Sequence, residues 1–235
     1  AAPDAAADGL DDTAAAAPSW SAPRRLANGI MMNKPTALSN GEWLMPAAVW
    51  ASREPRRPDM AGERFSNVYV SSDQGERWTL RSGADVPERC FDEHMILERR
   101  DGTLWMLVRT HYGIGESVSR DGGRTWSPGQ PSGIPGPNSR FFLRRRNSGR
   151  TLLVNHRNFT GRSHLTASLS DDDGRAWHSH LLLDERQKVS YPDGTEDENG
   201  RLYVIHDRDR QGAREILLSV FTEQDMLHGR PPRRE

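Results

Sequence analysis

At 235 residues the chain is long enough to bury a sizeable core, either as one large all-β domain or as two ordinary ones. Its 32 basic and 33 acidic residues leave a net charge of -1, which excludes the basic footprint of a nucleic-acid binder and gives no attraction to an anionic membrane. A single cysteine, Cys90, excludes an intramolecular disulfide and the usual multi-cysteine zinc sites, and no run approaches the roughly 18 apolar residues that span a bilayer.

Residues 1–19 are rich in Ala and Asp and almost empty of large apolar side chains, so they bury too little surface to offset their ordering entropy. They read as a tail or as the remnant of a degenerate blade. An alanine-rich helix is the competing reading, but Pro3, Gly9 and Pro18 leave it short and it lacks an apolar stripe. No basic n-region followed by an apolar h-region opens the chain, so no signal peptide is expected within this stretch. A soluble protein is expected, secreted or periplasmic in a full-length form; the oligomeric state is left open.

Residues 20–226 are organised by repetition. The pattern Ser-x-Asp-x-Gly-x-x-Trp occurs at Ser71–Trp78, Ser119–Trp126 and Ser170–Trp177, at steps of 48 and 51 residues. Such a period is the signature of a propeller. Within each copy the physics is that of a hairpin turn: Asp bonds the backbone N–H groups ahead of it, Gly takes a positive φ, and Trp packs the turn down on its blade. Trp20 stands where a further box would end, with Ala15 and Ala17 in place of its Asp and Gly.

Out of phase with the boxes runs a polar-Gly turn followed by an apolar strand, at Asn40-Gly41, Asp101-Gly102, Ser148-Gly149 and Asn199-Gly200. These strands are apolar on both faces, as suits strands sandwiched between blades. Each unit is therefore read as one four-stranded blade. The fold class is all-β, a propeller of which about four blades lie in this chain, followed by a basic tail over residues 227–235. Four blades do not easily close a ring, so further blades are expected upstream.

Seven residues beyond each turn glycine, at the ends of the buried strands, stand Ala48, Arg109, His156 and Asp207. Strand ends in a shared register project to one end of a propeller, so Arg109, His111, Tyr112, His156, Arg157 and Arg208 should gather at one mouth of the channel. The plainer reading is that strands emerge into solvent there, where charge costs little; recurrence in register favours the mouth. The eight histidines form no His-x-x-x-His pattern, so neither a metal nor another cofactor is expected. Asn158-Phe159-Thr160 matches a glycosylation sequon, a triplet that also arises by chance.

These features resemble the sialidase (neuraminidase) superfamily, whose bacterial exo-sialidases are six-bladed propellers with Asp boxes. The more specific stretch is Phe91–Arg109, similar to the family's Asn-Glu segment leading through an Asp-Gly turn to a strand-terminal arginine. The resemblance implies Glu93 as the carboxylate that activates a tyrosine nucleophile and Arg109 as one arginine of a substrate-binding triad. It implies Arg162, which opens the strand running into the third box, as another, and Tyr191, in Val-Ser-Tyr-Pro-Asp-Gly, as the nucleophile. His94, His111, Tyr112, Arg140, His156 and Asp193 are further pocket-lining candidates. The implied function is an exo-glycosidase acting on a terminal sialic acid or similar acidic sugar, with a glycan as its partner. A non-catalytic carbohydrate-binding propeller and a glycosidase for uronate-containing polysaccharide are the alternatives. Two departures mark a divergent branch: Glu93 follows Asp92 rather than Asn, and Tyr191 precedes Pro192 rather than Ser. The family's early Arg-Ile-Pro segment and acid/base aspartate have no counterpart here and are expected upstream of Ala1.

Overall fold

The computed structural model describes residues 19–50, 58–158 and 160–234. Four antiparallel four-stranded sheets follow one another along the chain, each ordered outward from its first strand. The first blade holds β1 (Thr36–Ala37), β2 (Trp43–Ala48), β3 (Ser66–Ser71) and β4 (Thr79–Ala84). The second holds β5 (Arg89–Glu98), β6 (Leu104–Thr110), β7 (Gly113–Ser119) and β8 (Gln130–Pro131). The third holds β9 (Phe142–Arg145), β10 (Thr151–His156), β11 (Leu165–Ser170) and β12 (His178–Asp184), and the fourth β13 (Val189–Glu196), β14 (Arg201–Arg208), β15 (Glu215–Thr222) and β16 (Arg233–Arg234). This is a four-blade propeller arrangement, as the repeat implies.

The blades pack face to face through apolar strands. β6 is buried along its whole length, and Trp105 and Leu107 join Leu152, Val154, Leu165, Ala167 and Leu169 in the largest core cluster. β10 and β11 are likewise buried throughout. The fourth blade departs from the two-sided pattern: among the described residues only one face of β14 is buried throughout. Leu202, Val204 and His206 are buried, whereas Ile205 on the other face is 47% exposed.

All three boxes fold alike. The hydroxyls of Ser71, Ser119 and Ser170 donate to Asp73, Asp121 and Asp172 at 2.8 Å and accept from the N–H of Gly75, Gly123 and Gly174 at 2.8 Å. Each Asp also accepts from a backbone N–H four residues on. The tryptophans differ: Trp78 Nε1 donates within its own box to the Gly75 carbonyl, whereas Trp126 Nε1 reaches the preceding blade at Ser82.

Two sequence expectations are corrected. The basic residues 227–235 are not a free tail, since Arg233 and Arg234 pair with Val220 and Ser219 as the outer strand of the fourth blade. In place of a box, that blade turns through α1 (Glu223–His228), closed by a capping box between Thr222 and Asp225 and by left-handed Gly229. Trp20 is 90% exposed and does not pack down on a blade; Ala15 and Ala17 lie outside the described residues.

Candidate functional site

Register places the site before any side chain is considered. Ala48, Arg109, His156 and Asp207 all fall at or next to the last residue of β2, β6, β10 and β14, at one end of the sheets. The partners of Arg109 and Asp207 on the neighbouring strands are Asp92 and Ser190. At both places the ladder slips, between Arg89 and Met95 in β5 and between Ser190 and Asp193 in β13. The slips are bulges made with left-handed backbone at Phe91 (φ 62°), Asp92 (55°), Glu93 (44°) and Tyr191 (55°). None of these is glycine, so the surrounding structure sustains a strain of roughly 1–3 kcal/mol per residue. What it gains is aim, because a bulge re-points the side chains that follow it.

Glu93 and Tyr191, 98 residues apart in the chain, meet there. The Tyr191 hydroxyl donates to Glu93 Oε1 at 3.1 Å, and Arg109 Nη1 donates to Glu93 Oε2 at 2.8 Å. The Arg109 and Glu93 side chains are 5% and 1% exposed, so this ion pair sits out of water. Burial works against the Arg109 charge, but the bonds to Glu93 and the Tyr191 oxygen outweigh it and hold its pKa above the usual value. Asn138 accepts from Arg109 Nε at 2.6 Å, and the Phe91 ring lies 5.0 Å from the guanidinium.

Arg162 stands beside this chain of bonds, 5.9 Å from the Tyr191 ring centroid. Its own contacts are long, 3.5 Å to Ser190 Oγ and 3.4 Å to the Asn138 carbonyl, and it has no ion pair among the described residues. Burial, then the charges of Arg109 and Arg210, push its pKa down. A guanidinium in that state gains by accepting an anion. Arg210, which the sequence reading passed over, lies closer to Tyr191, at 4.3 Å from the ring centroid. It is pinned by Asp207 at 2.7 Å and by Ser190 at 2.9 Å. Arg162 and Arg210 both line an open cavity of about 470 Å³, with Gln187, Lys188, Ser190, Asp209 and Gln211.

The remaining candidates lie elsewhere. Arg140 is buried and spent on the protein, donating to Asn33 Oδ1, the Met32 carbonyl and the Pro192 carbonyl, and pairing with Asp193 at 3.3 Å. Asp193 also accepts from Lys34 at 2.8 Å; burial raises its pKa, but Lys34 and Arg140 prevail and hold it low. Asn33 in turn donates to the Glu93 carbonyl, so this group ties all four blades together beside the site. His94 and His156 face inward, each Nε2 bonded at 2.7 Å to a carbonyl, of Asn67 and Val189. Burial lowers both pKa values to about 4, so both rings are neutral and donate. His111 borders Asn138 at 3.5 Å, and half-exposed Tyr112 packs over Gly115. Among the described residues no group of three His, Cys, Asp or Glu side chains is placed to hold a metal ion.

The four-blade arrangement makes the chain a β-propeller protein, and comparison with known proteins gives its family. The chain belongs to the BNR repeat-like domain family, whose model matches residues 11–204. Its fold is similar to that of the NanB sialidase from Streptococcus pneumoniae, with a TM-score of 0.63 and 21% identity over 81% of this chain and 30% of that one. It is similar also to the intramolecular trans-sialidase from Ruminococcus gnavus, with a TM-score of 0.59 and 20% identity over 79% of this chain and 41% of that one. An α-L-arabinanase from Penicillium chrysogenum matches with a TM-score of 0.55 and 15% identity over 85% of this chain and 65% of that one. The chain thus spans less than half the length of the two sialidase-type proteins. No curated protein matches it. Together these put the chain on a β-propeller fold like that of these sialidase-type proteins and the arabinanase.

Proposed function

We propose that the chain carries part of the active site of a retaining exo-glycosidase of sialidase type, acting on a terminal sialic acid or a similar acidic sugar. The observation that carries this reading is the run Tyr191–Glu93–Arg109 beside Arg162, a guanidinium with no carboxylate partner among the described residues. Planar guanidinium groups bind carboxylates bidentately and stay charged, which suits a sugar bearing a carboxylate next to its anomeric carbon. A neutral tyrosine attacks such a carbon without the repulsion that a carboxylate nucleophile meets, and sialidases are the recognised exception to the two-carboxylate scheme.

In the first step the Tyr191 oxygen bonds to the anomeric carbon, its proton passes to Glu93, and the bond to the leaving oxygen breaks. In the second, water attacks the same carbon, the Tyr191 oxygen leaves and recovers its proton from Glu93, and the water's remaining proton goes to solvent. Two inversions give net retention. An aryl leaving group departs as phenolate and needs no acid, so aryl glycosides test the Tyr191 step by itself.

The experiment compares release of phenol from an aryl α-sialoside and an aryl β-glucuronide by the wild-type chain and by Tyr191→Phe, with folding checked by circular dichroism. Release from the sialoside that Tyr191→Phe abolishes without loss of fold supports the reading. Release from the glucuronide alone moves the substrate class to uronates. No release from either, or equal release by Tyr191→Phe, defeats the assignment and leaves a carbohydrate-binding propeller.

A further inference from the structure

The third box differs from the other two in one atom. Trp78 Nε1 and Trp126 Nε1 each have a partner at 3.0 Å, whereas Trp177 Nε1 is buried with none. Burying a donor and leaving it unmade forfeits its hydration without return, and because this N–H has no exposed surface the indole meets its surroundings through its ring. Trp177 lines a pocket of about 230 Å³ between the Ile134–Pro135 segment after β8 and the faces of β10 and β11. Arg157 lines it too, and that guanidinium has neither a hydrogen bond nor an ion pair among the described residues. Asn155 completes the polar side: its amide donates to the Pro135 carbonyl at 3.0 Å, which leaves its own carbonyl oxygen to accept. Leu153, Ile134 and Pro135 form the apolar side.

We propose that this pocket is a second, non-catalytic binding site for a carboxylated sugar. A guanidinium on the pocket wall without a protein partner among the described residues matches a carboxylate. The Asn155 carbonyl accepts from a hydroxyl, and the apolar wall with the indole takes the C–H face of a sugar ring. The volume lies below the roughly 300–1,000 Å³ of drug-sized sites, which fits a single ring rather than an oligosaccharide. The pocket shares no lining residue with the cavity beside Tyr191. Such a site would hold the chain on an acidic glycan independently of any turnover, and Arg157, which the register placed among the mouth residues, belongs to it.

The test is isothermal titration of the chain with sodium glucuronate, repeated with galactose as a neutral ring and with benzoate as a carboxylate lacking hydroxyls. Titrations are made on wild type, Arg162→Ala, Arg157→Ala and the double variant. Glucuronate binding should persist in Arg162→Ala, weaken at least tenfold in Arg157→Ala in that background, and exceed that of galactose and benzoate. Trp177→Phe, which keeps a ring and removes the donor, should weaken it less than Arg157→Ala. The proposal is overturned if Arg162→Ala alone abolishes binding, if Arg157→Ala leaves it unchanged, or if benzoate binds as tightly as glucuronate. None of these results depends on Tyr191 being a nucleophile, so failure here and failure of the catalytic reading are separable.

Discussion

Replacing the glycine of each Asp box with alanine should destabilise the third far more than the first two. Gly75, Gly123 and Gly174 have nearly the same φ, +91°, +82° and +89°, so the left-handed strain of roughly 1–3 kcal/mol is common to all three and cancels in the comparison. Sterics do not cancel. A Cβ at position 75 or 123 would lie 3.2 Å from Trp43 or 3.3 Å from Leu104, whereas at 174 it would lie 2.6 Å from Trp105 Cη2. The Trp105 ring cannot easily retreat: it is 1% exposed, donates to Glu116 at 2.7 Å, and is stacked by Arg99 at 4.5 Å. Overpacking of that kind adds roughly 1–3 kcal/mol, so Gly174→Ala should cost about 2–6 kcal/mol in all. Urea unfolding of the three variants, with m-values checked for equality, measures the difference. Three equal losses would refute the packing of the third box against the second blade.

Further outcomes follow from buried charge and from the site. The Arg146 side chain is 2% exposed and pairs with both Glu196 and Glu223; Arg146→Ala strands the buried Glu196 carboxylate, while Glu223 keeps Arg150, and should cost roughly 3–5 kcal/mol in urea unfolding, a loss that Arg146→Lys reduces. His94 and His156 titrate near 4 in the fold and near 6.5 unfolded, so the unfolded chain binds the extra protons and stability falls as pH drops through that window. Asp92, raised by burial to about 6, acts in the opposite sense, so the check is that His94→Gln gives a shallower loss between pH 7 and pH 4.5 than wild type. Arg210→Ala frees the Tyr191 ring from its stacked partner; with an active chain, kcat on an aryl glycoside should fall roughly 10- to 100-fold with a smaller change in KM, and Arg210→Lys should recover part of it.

The parts of the fold that read directly from sequence are those whose interactions are local. An Asp box closes within eight residues, and its three copies differ by no more than a tenth of an ångström in their shared bonds to serine. The strand after each Gly turn was equally legible, and counting from the glycine put Arg109, His156 and Asp207 at one end. What counting did not supply was direction at the bulges. Phe91, Glu93 and Tyr191 carry no sign of positive φ, Asp92 carries only the weak one common to Asn and Asp, and no local pattern marks the slip that turns Glu93 toward Tyr191. The pairing of those two residues came from the family resemblance, not from pattern. His94 and His156 sit in the right stretches yet donate to carbonyls inside, which a sequence cannot distinguish from facing a channel. Arg210 was passed over because it follows its strand in an irregular segment; the available signal was Asp207-x-x-Arg210, an acid at the counted strand end three residues before a cation. The C-terminal strand was missed because two arginines after Pro231 and Pro232 read as a solvated end.

The measurement that tests the account most directly is trapping of a covalent intermediate. A 3-fluorosialosyl fluoride slows both steps through its electronegative substituent but keeps a good leaving group, so a glycosyl–protein adduct accumulates where a nucleophile exists. Intact mass spectrometry followed by peptide mapping should find one added sugar on the peptide bearing Tyr191, absent from Tyr191→Phe and formed more slowly by Glu93→Gln. An adduct on any other residue, or an adduct rate unaffected by Glu93→Gln, would contradict the roles assigned to Tyr191 and Glu93.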